Sequence, residues 1–304
     1  MISLSLRELA EAVSGRLVLA SDTQDAATLV SGDSQTDSRE VTDGQLFFAK
    51  RGEETDGHRF VGTAIDRGAA AVVVEHEVPE AAGRVPQIVV ADSVDALGAL
   101  ATEVVRRALA RDGGEGAPLR IVGITGSNGK TTTKNLLAAM TERLGSTVAS
   151  EKSFNNEVGG PITMLRVTED TRYLVAEMGA SAEGEIERLT RMAPPHIGIV
   201  LSVGLAHAGE FGGIEATFRA KSEMVRALPE GAVAILNRDD PRVASMAEFS
   251  RARVRFFGLG PDSDVRASEV VASATGTTFT LHLGERSAPV RFRVLGEHHV
   301  MNAL

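Results

Sequence analysis

Residues 119–134 carry the most specific chemistry in this sequence: Leu-Arg-Ile-Val-Gly-Ile-Thr-Gly-Ser-Asn-Gly-Lys-Thr-Thr-Thr-Lys. An apolar strand pattern runs into a glycine turn, and Lys130 and Thr131 then stand at the start of a helical pattern. The backbone N–H groups of such a turn, together with the positive end of the helix dipole, wrap around a phosphate. Lys130 would place charge beside the β- and γ-phosphates, and the Thr131 hydroxyl would bind Mg²⁺. The segment therefore predicts a site for a nucleoside triphosphate and a metal ion.

The glycine spacing departs from the general phosphate-loop pattern G-x-x-x-x-G-K-[ST], which requires glycine at position 124. Ile124 stands there, and the glycines fall at 123, 126 and 129. The strand before the turn and the helix after it are the context that the motif requires. The alternative is a strand-to-helix turn in which Gly-Lys-Thr occurs by accident.

Composition restricts the class of protein. The 304 residues are 43% hydrophobic and 24% charged, which suits an ordinary globular chain of about two domains. The absence of cysteine excludes disulfides and thiolate metal sites and fits a cytoplasmic location. The net charge of −9 argues against nucleic acid as a partner. We expect no signal peptide, because the start has no basic region followed by an apolar stretch, and no membrane insertion, because the charge-free stretch near 192–209 carries Pro194, Pro195 and His196.

A glycine-rich, charged run ending in proline, residues 111–118, reads as a linker and divides the chain into domains at 1–112 and 119–304. The first is predicted to be a small α/β domain. Its strands are expected at 45–49, 70–74 and 87–90, and its helices at 6–13, 59–67 and 94–110.

The second domain alternates strand and helix patterns, which predicts a mostly parallel sheet covered on both faces. Strands are expected at 120–125, 147–150, 173–178, 197–203, 232–237 and 254–258, and helices at 129–143, 184–192, 216–228 and 242–249. Two period-two segments, 277–283 and 289–294, predict an antiparallel hairpin around Gly284-Glu-Arg-Ser287. Parallel sheets bind ligands at the carboxyl ends of their strands, where the phosphate loop, Glu177 and Asn237 would all lie.

Three further side chains could carry chemistry. Glu177 ends an apolar strand, where a phosphate-loop enzyme places a Mg²⁺-binding acid, but a surface glutamate is an equal alternative. Lys221 lies on the apolar stripe of its helix, so burial would lower its pKa and let its amine form a carbamate with CO₂. From the residues alone, a lysine that extends to solvent is the favoured reading. His207, in a glycine-rich loop, is a metal ligand, a phosphate donor or a plain loop residue.

Weaker signals are Asn155-Asn156, Asn237 with its following Arg-Asp-Asp, and the His298-His299 pair, each of which also suits a turn. No further ligands accompany the histidine pair at a zinc spacing. Neither a Gly-x-Ser-x-Gly elbow nor an HExxH motif is present, so the sequence gives no support to a serine hydrolase or a zincin.

Taken together and in this order, these motifs resemble the Mur ligase family, over nearly the whole chain from Thr36 to Asn302. The family uses the glycine spacing seen at 123, 126 and 129. Phe154 to Pro161, Glu177 to Ala180 with Gly184 to Ile186, and His207 to Gly212 followed by Ala220 to Glu223 are similar to the branch that adds D-alanyl-D-alanine to a UDP-N-acetylmuramoyl tripeptide. Position 299 departs from the family, which usually has Asn where this chain has His.

The resemblance implies roles for individual residues. It implies that the UDP-linked tripeptide binds to Asp37, Ser38 and Arg39 in the first domain and to Asn155 and Asn156 in the second. The nucleotide would contact Gly126, Ser127, Asn128, Gly129, Lys130, Thr131, Thr132, Asn237 and His298. Thr131 and Glu177 would bind a first Mg²⁺, and His207 and a carbamylated Lys221 a second. Lys130, His207 and Lys221 would be the catalytic residues.

The implied activity is ATP-dependent formation of a peptide bond through an acyl phosphate, in the synthesis of peptidoglycan precursors. Family members carry a third domain after the central one, and we expect this chain to lack it. A nucleotide- and UDP-sugar-binding module without ligase activity therefore stays open, as does a Mur ligase that adds a different residue. A folylpolyglutamate-type ligase would lack the Asp-Ser-Arg domain, and a plain phosphate-loop kinase or GTPase would need neither Lys221 nor that domain.

Overall fold

The computed structural model describes residues 1–52, 55–111, 118–151, 155–204, 213–294, 296 and 298–304. The chain divides into two compact units. The first contains Met1–Leu119 and Glu157–Thr171, and the second contains Arg120–Asn156 and Arg172–Leu304. The predicted domains, 1–112 and 119–304, differ from these units in the segment 157–171, which belongs to the first unit.

The strands, in chain order, are β1 (Leu4–Ser5), β2 (Arg16–Val18), β3 (Leu29–Val30), β4 (Ser34–Gln35), β5 (Leu46–Phe48), β6 (Ala71–Val74), β7 (Gln87–Val89), β8 (Arg120–Thr125), β9 (Thr147–Ala149), β10 (Tyr173–Glu177), β11 (Ile197–Val200), β12 (Val233–Asn237), β13 (Arg253–Gly258), β14 (Val265–Ser273), β15 (Gly276–Leu283) and β16 (Arg286–Phe292). The helices are α1 (Leu6–Ala12), α2 (Val61–Asp66), α3 (Ser93–Leu109), α4 (Lys130–Thr141), α5 (Gly159–Met164), α6 (Glu185–Met192), α7 (Ile214–Arg226), α8 (Pro241–Ser245) and α9 (His298–Ala303). Short 3₁₀ turns occupy Gly57–Phe60, Pro79–Ala81 and Met246–Phe249.

The first unit is built on a five-stranded sheet in the order β2-β7-β6-β5-β4. Strands β4 to β7 run parallel, and β2 pairs antiparallel with β7 at one edge. The strands β5 and β6 are apolar and fully buried, as expected for the centre of a parallel sheet. Helix α5 belongs here because it packs against α3, and the Ile2 N–H donates to the Val167 carbonyl at 3.1 Å.

The second unit is built on a nine-stranded sheet in the order β16-β15-β14-β13-β12-β11-β8-β10-β9. From β9 to β14 the neighbours are parallel, and β14, β15 and β16 form an antiparallel extension. Strand β8 lies between β10 and β11, so the carboxyl ends of these three strands meet at one edge of the sheet. The predicted α/β class, with a mostly parallel sheet and an antiparallel extension, is confirmed.

Helices α4 and α7 cover opposite faces of this sheet. Val122 and Ile124 of β8 share a buried cluster with Leu137 of α4. Gly123, between them, faces the other way, where a Cβ would lie 2.9 Å from Cε of Met224 in α7. The glycine therefore lets α7 approach the sheet closely.

The predicted hairpin is confirmed as one part of a larger antiparallel feature, and its turn is shorter than the predicted Gly284 to Ser287. Leu283 pairs with Arg286, so the loop holds only two residues, with Gly284 at φ +58° in the first position. Glycine there allows a tight two-residue turn. The prediction also missed strand β14, in which a bulge between Ser268 and Val271 breaks the period-two pattern.

Among the residues that the structure describes, we find no helix with the length and apolar character needed to span a lipid bilayer.

Candidate functional site

The glycine turn between β8 and α4 has the conformation that the sequence predicts. Gly126 has φ +151° and Gly129 has φ +86°, both in a region that side chains rarely adopt. A Cβ at Gly126 would also lie 2.9 Å from Cβ of Leu201. Helix α4 begins directly after Gly129, so the positive end of its dipole lies at the loop.

The loop is fixed from below by the segment that follows β11. The Ser127 N–H donates to the Ser202 carbonyl at 2.9 Å, and the Asn128 N–H donates to the Ser202 hydroxyl at 3.2 Å. The Gly204 N–H donates to the Ser127 hydroxyl at 2.8 Å. The N–H groups of Ser127 and Asn128 therefore hold the loop in place. The N-terminus of α4 and the Lys130 ammonium are the groups that can attract an anion here.

Lys130 stands in the first turn of α4. Its ammonium donates to the Gly126 carbonyl at 2.8 Å, across the loop. Burial lowers the pKa of Lys130, and the negative charge of Glu177 opposes that shift. The side chain therefore places a cation at the loop and close to a carboxylate.

Glu177, the last residue of β10, is 2% exposed, so the surface alternative is wrong. The strand ends inside the sheet, beside β8, and its terminal side chain is enclosed. The Thr131 hydroxyl donates to Glu177 Oε2 at 2.9 Å, and the Asn155 amide donates to Oε1 at 2.8 Å. The Gly179 N–H in turn donates to the Asn155 carbonyl at 2.9 Å.

This donor set suits Mg²⁺, which prefers oxygen and is commonly bound by one or two carboxylates together with substrate phosphates. Within the described ranges, no cluster of three or more His, Asp or Glu side chains forms a cage for a metal. A hydroxyl and a single carboxylate beside a phosphate loop match the pattern in which the nucleotide supplies the remaining ligands.

Lys221 is 3% exposed, and the expectation from the residues alone that it extends to solvent is wrong. Its helix neighbours Thr217, Met224 and Val225 are fully buried, so the whole stripe packs inward and carries the lysine with it. Burial, with a smaller contribution from the positive charge of Lys130, lowers the pKa of Lys221 to about 8. The two lysines are therefore close enough to repel each other.

The other residues predicted to contact the nucleotide lie around the loop, and their described contacts are with the protein itself. The Asn237 amide donates to the Leu201 carbonyl at 2.8 Å and its oxygen accepts from the Asp239 N–H, so this side chain holds the main chain beside the loop. His298 begins α9, the helix that brings Asn302 against the Thr133 hydroxyl at 3.4 Å. Thr132 is partly buried in the first turn of α4. His207 lies outside the described residues.

For two side chains near Glu177 the structure differs from the sequence-based prediction. Lys134 was not predicted as a site residue, and Asn155 was predicted to have another role. Lys134, one turn after Lys130 on α4, is buried and its ammonium donates to the Ser150 carbonyl. Only its i+4 spacing from Lys130 signalled it. Asn155, predicted as a substrate residue, contacts Glu177, whereas its neighbour Asn156 is exposed.

In the first unit, Asp37, Ser38 and Arg39 line a cavity of about 620 Å³. Arg39 forms an ion pair with Asp37 at 2.6 Å, which raises the pKa of the guanidinium, while 84% of its side chain stays exposed. The rest of the lining combines threonines, a lysine, two glycines and one aromatic ring, and consists of Thr36, Lys50, Gly52, Thr55, Gly57, Phe60 and Thr63.

Comparison with known families decides the assignment. A profile of the Mur ligase middle domain matches residues 124–304, and a profile of the Mur ligase family catalytic domain matches residues 35–104. The first match alone covers more than half of the chain. The chain belongs to the Mur ligase family.

Curated relatives of this Mur ligase chain are named UDP-N-acetylmuramoyl-tripeptide–D-alanyl-D-alanine ligase. The protein from Mycobacterium tuberculosis strain H37Rv is 40% identical, with 100% of this chain and 62% of the relative covered. The Escherichia coli K12 protein is 34% identical, with 100% and 64% covered. This chain therefore spans less than two thirds of the length of these relatives.

Solved structures of Mur ligases are also similar to this chain. MurF from Acinetobacter baumannii is 33% identical with a TM-score of 0.85, covering 99% of this chain and 63% of that one. MurF from Thermotoga maritima, solved in complex with ADP, is 28% identical with a TM-score of 0.76, covering 90% of this chain and 61% of that one.

The geometry of the loop predicts the effect of Gly126→Ala. The added methyl group meets Leu201 and the backbone is strained, so the free energy of unfolding should fall by about 1–3 kcal/mol and ADP should bind more weakly. Gly231→Ala is the control, because no atom lies within 4 Å of the added Cβ. Urea denaturation and calorimetric titration with ADP measure both quantities. Equal stability and equal ADP affinity in the two variants would contradict the assignment of a strained phosphate loop.

Proposed function

We propose that this chain is the ATP-binding and UDP-substrate-binding part of a ligase that joins D-alanyl-D-alanine to UDP-N-acetylmuramoyl tripeptide in peptidoglycan precursor synthesis. The observation that carries the proposal is the cluster of Lys130, Thr131 and Glu177 at the carboxyl ends of β8 and β10, with the buried Lys221 close by. The names of the relatives support this choice of substrates.

The reaction has two steps. A carboxylate oxygen of the tripeptide attacks the γ-phosphorus of ATP and the bond to the β-γ bridging oxygen breaks. The products of this step are an acyl phosphate and ADP. The amine of D-alanyl-D-alanine then attacks the acyl carbon, inorganic phosphate leaves, and the ammonium formed at nitrogen loses a proton. Negative charge develops on phosphate oxygens as ADP leaves in the first step, and on the acyl oxygen and the leaving phosphate in the second, so stabilisation of this charge dominates catalysis.

The residues of this chain have separable tasks. The N-terminus of α4 and the Lys130 ammonium attract the β- and γ-phosphates, and the loop fixed on Ser202 keeps them in place. Thr131 and Glu177 would hold a Mg²⁺ ion, which neutralises phosphate charge when bound. Asn155 orients Glu177 through its amide.

A second Mg²⁺ would be held by His207 and by Lys221 as its carbamate. The fit at Lys221 rests on burial and on the low pKa of its amine, since only a neutral amine reacts with CO₂. Carbamylation would replace a buried cation beside Lys130 with an anion, which removes the repulsion between the two lysines.

In the first unit, the cavity beside Asp37, Ser38 and Arg39 would receive the UDP part of the substrate. Arg39 and Lys50 offer positive charge to a diphosphate, and the half-exposed Phe60 ring offers a surface for a base. Substrates of this kind and the cysteine-free composition support a cytoplasmic location.

Lys130→Ala should lower turnover by about 10²–10³, the loss seen when one donor to a developing anion is removed. The assay follows phosphate release with MgATP, UDP-N-acetylmuramoyl tripeptide and D-alanyl-D-alanine. It uses this chain and a version extended at its carboxyl end by about 150 residues, a typical domain. Asn135→Ala, at an exposed position of the same helix, is the control.

Turnover that depends on both substrates in either version, and that falls in Lys130→Ala only, supports the proposal. ADP binding without turnover in both versions would instead favour a nucleotide- and UDP-sugar-binding module. Turnover with a different amino component would place the chain in another branch of the family.

The pKa of Lys221 predicts how carbamate formation depends on pH. With a pKa of about 8, roughly half of the amines are neutral at pH 8 and about a tenth at pH 7, whereas an ordinary lysine is almost fully protonated at both. At fixed CO₂ pressure, the ¹³C NMR signal of the carbamate should therefore rise through pH 8 and be absent in Lys221→Met. A signal that survives in Lys221→Met, or that rises only near pH 10, would contradict this prediction.

A further inference from the structure

His58 is a buried histidine of the first unit to which the proposed function assigns no task. It lies in the 3₁₀ turn Gly57–Phe60 and is 6% exposed. The Glu75 N–H donates to its Nε2 at 2.8 Å, and its Nδ1 lies 2.6 Å from Oδ1 of Asp56. Because Nε2 accepts from an amide, the ring proton is on Nδ1 and is donated to Asp56. The hydrogen bonds thus specify one neutral tautomer, in which both ring nitrogens are used.

The imidazole joins two segments that are distant in the sequence. Asp56 precedes the 3₁₀ turn, and its carboxylate also accepts from the His58 N–H at 3.0 Å. Glu75 directly follows β6, and its own side chain is held on both sides. It forms an ion pair with Arg51 at 3.0 Å and accepts from the Ser93 hydroxyl, at the start of α3, at 3.1 Å. The end of β6 is therefore a firm attachment point for the turn.

The segment that His58 attaches to β6 forms one wall of the cavity in the first unit. Six lining residues belong to it, namely Lys50, Gly52, Thr55, Gly57, Phe60 and Thr63. The Gly57 N–H donates to the Lys50 carbonyl at 2.9 Å, and a Cβ at Gly57 would lie 2.6 Å from that oxygen. Gly57 stands between Asp56 and His58 in the chain, so a fixed imidazole fixes Gly57 and, through this hydrogen bond, the main chain of Lys50.

Packing alone does not account for an imidazole at this position. A buried polar ring costs free energy unless its nitrogens are hydrogen-bonded, whereas an apolar side chain has no such requirement. Only a group that donates on one side and accepts on the other can join a carboxylate to an amide N–H. Hydrogen bonds from the main chain and ring of His58 lower the pKa of Asp56. The carboxylate therefore stays charged at neutral pH, and its hydrogen bond to the ring is charge-assisted.

We propose that His58 is a positioning residue for the cavity of the first unit: by joining the Asp56 carboxylate to the Glu75 main chain it fixes Gly57 and Lys50, and so sets the wall that receives the UDP group. This inference rests on the proposed function, in which this cavity binds the UDP part of the substrate. His58 does not line the cavity itself and acts through its neighbours.

The test titrates this chain by calorimetry with UDP-N-acetylmuramoyl tripeptide and, separately, with ADP. His58→Phe keeps a ring of similar shape and removes both hydrogen bonds. Its affinity for the UDP substrate should fall about tenfold, the factor that corresponds to one lost hydrogen bond to a charged group. ADP, whose proposed site lies in the second unit, should bind as in the wild type. His76→Phe, at the exposed histidine that stacks on His58 with ring centroids 4.5 Å apart, should keep the full affinity for both.

Substitution of Asp56 tests the same link from its other end and does not depend on the folding of His58→Phe, because 41% of the Asp56 side chain is exposed. Asp56→Ala should weaken binding of the UDP substrate about as much as His58→Phe does. Asp56→Asn keeps an oxygen that accepts from Nδ1, so it should restore most of the affinity. A side chain that only fills space would show no such difference between alanine and asparagine.

The tautomer gives an independent spectroscopic readout. In ¹⁵N NMR of histidine-labelled protein, the His58 ring is identified by the signals missing from His58→Phe. At neutral pH its proton should be on Nδ1 in the wild type and in Asp56→Asn.

An unchanged affinity for the UDP substrate in folded His58→Phe or in Asp56→Ala would overturn the inference, and so would a His58 ring that carries its proton on Nε2. An equal loss of affinity for ADP would show general damage to the protein and would also count against a positioning role. Wild-type protein that binds ADP but not the UDP substrate would contradict the proposed function itself, and the wild-type titrations alone reveal this outcome.

Discussion

The Glu177 carboxylate is the group on which the site depends. It is buried at the end of β10, and a buried anion is stable only when hydrogen bonds and nearby positive charge replace the water it has lost. Thr131 and Asn155 provide the hydrogen bonds, one to each oxygen, while Lys130 and Lys134 lie within its electrostatic influence. The same arrangement that stabilises this acid would, in the proposed function, also present it to a cation at the phosphate loop.

The sheet makes this convergence possible. With β8 between β10 and β11, the phosphate loop, Glu177 and the supporting segment at Ser202 all emerge at one edge. Helix α4 lies on one face and α7 on the other, and Gly123 gives α7 the room to pack closely. Lys221 on α7 and Lys130 on α4 therefore approach each other from opposite faces of the sheet, and the positive charge of Lys130 contributes to the lowered pKa of Lys221.

The parts of this arrangement that could be predicted from sequence are those encoded within one element. The strand–glycine–helix pattern located the loop, and the end of an apolar strand located Glu177. The helical stripe gave the direction of Lys221, although the general tendency of lysines to reach solvent argued the other way. Lys134 was not predicted because its partner, Ser150, lies just after strand β9, in a different element of the chain. Strand β14 was not predicted because its bulge breaks the alternation of apolar and polar residues. No local sequence pattern indicates that residues 157–171 belong to the first unit.

In the proposed function, Thr131 and Glu177 hold the metal ion of a nucleotide bound at this loop. The most direct measurement is a crystal structure of this chain with ADP and Mn²⁺ in place of Mg²⁺, with the metal located by its anomalous scattering. We predict a peak coordinated by the Thr131 hydroxyl, by the Glu177 carboxylate and by a phosphate oxygen of ADP. A manganese ion bound elsewhere, with ADP in the loop and Glu177 still paired only with Thr131 and Asn155, would contradict it.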